Sequence, residues 1–314
     1  MIDLVSYLGF FLTLALINAV ICLGLNLQWG FAGLFNVGVA GFVAVGAYVS
    51  ALLTAAPAAG RIGGWMLPIP LGWAAAMLAA GLVAALVGAI TLRLRADYLA
   101  ITTFGVAVLI QLIVLNAEHL TGGPFGIAFI PRPFGDLAGN NLVFSAANFG
   151  VVAAVTAIAF VLLQRLTHSP WGRVLRALRE DETAAVALGK SARRFRIEAF
   201  VIGAAFMGLA GAMQGQFFGF IAPDNYLPTL TFQVWVMLVL GGSGNNLGAV
   251  VGAIVVWGIW TGTGSAFAAL LPADFQARAA SLRVVAIGVL LALVLVVRPR
   301  GLLGEVATVS RHLH

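Results

Sequence analysis

Apolar residues run along this chain in long blocks, and polar residues fall between the blocks rather than alternating with them. Nine such blocks can be read, at roughly 5–27, 31–54, 70–92, 98–117, 146–166, 197–218, 228–242, 246–268 and 281–297. Crossing the hydrocarbon of a bilayer takes about 20 residues of helix. Backbone polar groups must be satisfied inside lipid, and the blocks lack the two-residue period of barrel strands, so each block predicts a helix. The expected fold is all-α: a polytopic integral membrane bundle of about 8–10 transmembrane helices, one permease-type domain over residues 1–314. The first block is too long, and lacks the basic lead-in, for a cleaved signal peptide, and is read as the first span.

Composition agrees with the pattern. Of 314 residues, 61% are hydrophobic and 9% charged, against about 25% charged in soluble domains. The 38 glycines fit close helix packing and broken helices in lipid. Four-residue spacing at Gly211, Gly215 and Gly219, and at Gly248 and Gly252, predicts flat packing faces.

Charge then orients the bundle. Arg93 and Arg95 follow the third block, eight of the 17 basic residues lie between Arg165 and Arg196, and Arg298 and Arg300 follow the last block. Alternating spans put all three clusters on one side, the cytoplasmic side by the positive-inside rule, with the C-terminus there. The excess of +6 sits in loops between spans, which argues against nucleic acid as a partner and for a lipid bilayer.

The loop at 165–196 is the most informative stretch. Ser169-Pro170 ends the fifth span, and a short helix is predicted over 171–188. Its apolar face is Val174, Leu175, Leu178, Ala185 and Leu188. Arg173, Arg176 and Arg179 form a second stripe, Arg176 is spaced to pair with Glu180, and Gly189 is placed to end the helix. Two readings fit these residues: a surface helix held by anionic headgroups, or a rigid helix that docks in a partner's groove. The acids Glu180, Asp181 and Glu182 count against lipid adhesion alone.

Other chemistry is sparse. Cys22 is the single cysteine, and His119, His168, His312 and His314 have no ligand spacing, so neither a disulfide nor a metal site is expected. Gly189-Lys190-Ser191 imitates the end of a phosphate loop, but Ala184 stands where its first glycine should be and a helix precedes it. Asp97, Glu118 and Glu198 fall at span ends, with Asp97 placed to cap the fourth span and pair with Arg93 or Arg95. Ion-coupled carriers generally need such groups in mid-membrane. Uncharged polar residues within spans must face other helices or a water path. From these, Asn26, Asn36, Thr102, Thr103, Gln111 and Gln214 are candidates to line a path. Asn36, between Gly33 and Gly38, sits where a helix break would expose backbone dipoles.

Thr183-Ala184-Ala185, three residues and Gly189 resemble the Glu-Ala-Ala-x-x-x-Gly motif of ATP-binding-cassette (ABC) importer permeases, with Thr183 in the glutamate's place and Glu182 one residue earlier. The stretches GLNLQWGFAGLFNVGVAGFVAVGAYVSALL (24–53), LRLRADYLAITTFG (92–105), LTGGPFGI (120–127), WGRVLRALREDETAAVALG (171–189), AFVIGAAFMGLAGAMQG (199–215), VLGGSGNNLGAVVGA (239–253) and RPRGLLG (298–304) are similar, in order, to the LivM branch of branched-chain amino acid permeases. The resemblance implies the ABC importer permease fold in a bacterial plasma membrane. It implies a LivH-type second permease, two cytoplasmic ATPase subunits that bind the ATP, and an extracytoplasmic solute-binding protein. It makes 171–189 the coupling helix, with Arg173, Arg176, Arg179, Glu180, Asp181, Glu182, Ala184, Ala185 and Gly189 toward the ATPase. The implied cargo is branched-chain or other hydrophobic amino acids, with urea, short amides or another small polar solute as the alternative. The chain itself would hold no cofactor and catalyse no covalent step. A stand-alone channel or carrier would need no partner at 171–189. A polytopic enzyme would want clustered acids, histidines or a metal set.

Overall fold

The computed structural model describes residues 2–58, 60–92, 96–135, 139–270 and 301–305, with isolated positions between 285 and 292. Eleven α-helices account for almost all of it. The long ones are α1 (Ile2–Asn26), α3 (Ile69–Thr91), α4 (Ala96–Asn116), α6 (Asn141–His168), α9 (Ala192–Phe218) and α11 (Asn246–Leu270). These supply six stretches long and apolar enough to cross a membrane. The shorter ones are α2 (Val39–Thr54), α5 (Glu118–Thr121), α7 (Pro170–Glu180), α8 (Glu182–Ala187) and α10 (Pro228–Gly241). The chain is a multi-pass helical membrane protein.

Packing places α1, α2 and α9 at the centre. Small residues make this possible, because helices in lipid associate through close van der Waals contact rather than through hydrophobic expulsion. A Cβ on Gly46 would lie 2.1 Å from the Gly208 carbonyl oxygen, and one on Gly211 would lie 2.0 Å from that of Val43. A substitution at either position must push α2 and α9 apart. A second seam joins α10 to α11, where Gly241, Gly248 and Gly252 bring the two backbones together. The outer helices invert the pattern of soluble proteins. On α3, Gly72, Ala76, Ala80 and Ala84 face inward, while Leu78, Leu82, Leu86 and Ile90 are exposed as a lipid face.

At one end of the bundle, Ile127–Ala128 (β1) pairs antiparallel with Phe220–Ile221 (β2). Ile62 N–H donates to the His119 carbonyl at 2.7 Å, and Arg132 donates to the Phe218 carbonyl at 2.6 Å. The segments around 62, 119, 127–132 and 218–221 therefore gather at that end. The opposite end holds α7, α8, the end of α1, the 242–246 loop and residues 301–305.

Three expectations need correction. The second apolar block does not begin as helix at 31. The end of α1 widens into a π-turn at Leu27–Phe31, residues 32–38 are not helical, and α2 starts only at Val39. Gly33, at φ +69°, makes a turn that other residues rarely adopt. Gly219 is no packing residue: at φ +71° it is the left-handed residue that stops α9. Asp97 lies in the first turn of α4 rather than at its cap. Its proposed partners Arg93 and Arg95, and most of the ninth block (281–297), lie outside the described residues.

Candidate functional site

The loop at 165–196 folds as a helical hairpin, and its sequence explains the shape. Pro170 sits at the first position of α7, where a missing N–H costs nothing. The helix does not continue to 188 as expected. It ends at Glu180, because Asp181 is extended (φ −148°, ψ 102°) and starts a second helix instead. One Asp181 carboxylate oxygen accepts from the Ala184 N–H at 3.0 Å and from the Thr183 hydroxyl at 2.5 Å. Those two bonds hold the Asp181 carboxyl below its ordinary range, the Thr183 hydroxyl being the larger cause. Thr183, in the motif's glutamate position, thus serves a cap.

Gly189 ends α8 as expected. It lies at φ +78°, its N–H bonds to the Val186 carbonyl at 2.9 Å, and Lys190 N–H bonds to that of Ala185 at 3.2 Å. That pair of bonds is the Schellman arrangement. Within the hairpin, Leu178, Ala185 and Ala192 pack together with Val174 and Phe195. The break at Asp181 throws Leu188 off this seam. Leu188 is 80% exposed and Val186 49% exposed. Ala184 is exposed where Ala185 is buried.

The charged residues divide into two sets. Arg173, Glu180, Asp181 and Glu182 are exposed. Glu182 pairs with Arg196 at 2.9 Å, and Arg194 pairs with Glu198 at 2.8 Å. Trp171 also donates to Glu198, at 2.7 Å. Arg176 does not pair with Glu180. It reaches back to the Thr167 carbonyl at 3.5 Å, because α7 turns it toward the end of α6. There it joins Gln164, His168, Arg173, Asn245 and Glu305 around a groove of about 400 Å³. Arg179 also turns inward. It donates to the Gly30 carbonyl and to Glu305, the latter at 2.8 Å.

The path candidates separate in the same way. Asn26 is fully buried and fully used: it donates to Asn246 at 2.9 Å and accepts from Gly244 N–H at 2.9 Å. Asn36 lies in the break, as expected, but its polar groups face the protein. It donates to Gln28 at 2.7 Å, accepts from Gly38 N–H at 2.7 Å, and its carbonyl accepts from Trp235 Nε1 at 3.0 Å. Thr103 is buried and accepts from Val37 N–H at 3.0 Å. Thr102 bonds to its own helix, through the Tyr98 carbonyl. Gln111 is half-buried on α4. Gln214 differs: its side-chain carbonyl oxygen is buried with no hydrogen-bond partner among the described residues. The same holds for Gln233 Nε2 and the Tyr48 and Tyr226 hydroxyls.

Gln28, fully buried in the π-turn, is a functional residue that the sequence does not single out. It joins Asn36 to the Phe200 carbonyl, donating to the latter at 2.8 Å. Nothing in local sequence marks such a hub, since Asn36 reaches it across the helix break and Phe200 lies on α9. Among the described residues, no group of three or more His, Cys, Asp or Glu side chains is placed to hold a metal ion.

The family model of the branched-chain amino acid transport system permease component matches residues 7–295. A high-affinity branched-chain amino acid transport system permease protein LivM of Escherichia coli K12 is 37% identical over 270 residues, covering 78% of this chain and 60% of the relative. The LivM protein of Salmonella typhimurium LT2 is 34% identical over 275 residues with the same coverage. The corresponding LivH protein of Escherichia coli K12 is 30% identical over 313 residues, 93% of each chain. The chain thus spans about three fifths of the LivM relatives it matches. No solved structure matches it significantly. A match over residues 7–295 takes in both the α1–α2 break and the α7–α8 hairpin, and the chain belongs to the family of branched-chain amino acid transport system permease components.

Proposed function

We propose that this chain is a transmembrane permease subunit of an ATP-binding-cassette importer, moving branched-chain or other hydrophobic amino acids across a bacterial plasma membrane. It forms the path with a LivH-type second permease, takes solute from an extracytoplasmic binding protein, and is driven by two cytoplasmic ATPase subunits that bind the ATP. The basic end and the C-terminus face the cytoplasm.

One observation carries the reading. A short hairpin, capped at Asp181 and closed at Gly189, presents Val186 and Leu188 to solvent at the basic end of the bundle. Solvent-facing apolar side chains on a rigid support suit a groove on a protein partner. A headgroup-binding helix would instead turn all its arginines outward, whereas of the three on α7 only Arg173 is exposed and Arg176 and Arg179 turn inward. The carboxylates do not suit an ion-coupled carrier either. Glu198 is neutralised by Arg194 near the start of α9, and Asp97 and Glu118 lie at the ends of α4 and in α5.

Affinity purification of the detergent-solubilised complex tests this. Wild-type chain should bring down the ATPase subunits, and Leu188→Glu should lose them while the chain still reaches the membrane and elutes as a single species. Retention of the ATPase by Leu188→Glu would remove the hairpin tip from the interface.

A further inference from the structure

An arginine on a short amphipathic helix ordinarily extends its guanidinium toward water or headgroups. Arg179 does the opposite. Its side chain is 24% exposed. One guanidinium nitrogen donates to the Gly30 carbonyl in the π-turn, and the other to Glu305 at 2.8 Å. Its stem lies on Gly33, where a Cβ would sit 3.0 Å from Arg179 Cγ. The carbonyls at the end of α1 carry partial negative charge, and a charged donor makes the stronger kind of hydrogen bond there.

The far side of the same break is tied to two other spans. Val37 N–H bonds to Thr103 of α4 at 3.0 Å. Trp235 of α10 bonds to the Asn36 carbonyl at 3.0 Å, and Thr231 of α10 accepts from Ala40 N–H at 3.0 Å. A continuous chain of bonds therefore runs from α7, through residues 30–40, to α4 and α10.

We propose that Arg179 is a positioning residue that acts inside the chain, carrying movement of α7 to the α1–α2 break and so to α4 and α10, and is not a contact with the ATPase. The proposal rests on the ATP-driven reading above. Contiguity alone does not establish coupling, which has to be measured.

The measurement uses the complete complex in proteoliposomes with its binding protein and radiolabelled leucine as the probe. Two quantities are read: ATPase subunits retained, and leucine taken up per ATP hydrolysed. Arg179→Gln should retain the ATPase subunits at the wild-type ratio, while uptake per ATP falls about tenfold, the scale of one lost charge-assisted bond. Gly33→Ala alters no charge but strains the left-handed turn of the break as well as displacing the arginine stem, and should lower the same ratio. Arg179→Lys, which keeps one bond of the two, should fall between. Loss of the ATPase subunits in Arg179→Gln would make it a docking residue and overturn the proposal. Unchanged uptake per ATP in both Arg179→Gln and Gly33→Ala would overturn it as well. If Arg179→Gln does not assemble, Gly33→Ala and Arg179→Lys decide by the same ratio. A wild-type complex that retains no ATPase would sink the ATP-driven reading itself, and is distinguished by appearing without any substitution.

Discussion

Asn26 and Gln214 were equal candidates for the path, and their surroundings now set them apart. Asn26 is buried with its amide used on both sides, by Asn246 and by the Gly244 N–H. Removing one partner leaves the others unsatisfied in a medium that offers no water. Asn26→Leu should therefore destabilise the protein by about 2–3 kcal/mol, read as a lower melting temperature in detergent. An unchanged melting temperature would contradict the assignment. Gln214 already has a buried oxygen without a partner. Gln214→Leu removes that cost, so its melting temperature should hold or rise. If the oxygen serves a solute or the second permease, uptake in the whole complex should fall several-fold. Unchanged uptake would leave Gln214 as a packing residue. Sequence alone ranks both amides alike, because an amide's partners lie on distant helices: Asn26 and Asn246 are 220 residues apart.

At the scale of the element, the α7–α8 hairpin depends on two residues with conformational duties. Asp181 starts α8, and Gly189 ends it in a left-handed conformation. Gly189→Ala should cost about 1 kcal/mol, and Asp181→Ala should loosen α8 by a similar amount, about 1 kcal/mol. Asp181→Asn keeps an oxygen acceptor and should restore most of the cap. Amide exchange of residues 182–187 reads all three. The pH dependence follows from the lowered Asp181 carboxyl. A depressed folded value stabilises above the unfolded one, near pH 4, and is lost as pH falls through the folded one. Protection of the α8 amides, taken relative to their intrinsic exchange rate at each pH, should therefore be flat from pH 7 to about 5 and fall only below the usual carboxylate range; a fall between 7 and 5 would contradict the cap. The apolar seam and the Gly189 stop were legible in the sequence. The interruption at Asp181 was not, since Glu180-Asp181-Glu182 reads equally well as the polar face of one helix. The break before α2 was legible only as a possibility at Gly33 and Gly38. What fixes it is long-range: Thr103, Thr231 and Trp235 satisfy backbone groups of residues 36–40.

For the whole molecule, hydropathy located most of the described helices closely, since lipid thickness and backbone satisfaction constrain them strongly, but it began the second block at 31 where α2 starts at Val39, and most of the ninth block lies outside the described residues. Their arrangement was less legible. Small residues marked α9 and α11 as close-packing, but not that α2 and α3 pack against α9, nor that α10 packs against α11. The division of labour that results is physical. A tightly packed centre carries no unpaired charge among its described residues, one end carries a rigid hairpin, and bonds through a broken helix join the two. The central claim of the proposed function is that transport needs the ATPase. The most direct test is uptake of radiolabelled leucine by proteoliposomes holding either this chain alone or the full complex with its second permease, ATPases and binding protein. The account predicts accumulation against a gradient only in the full complex, only with ATP, and none after Leu188→Glu. Equilibration of leucine by the chain alone, without ATP, would contradict it.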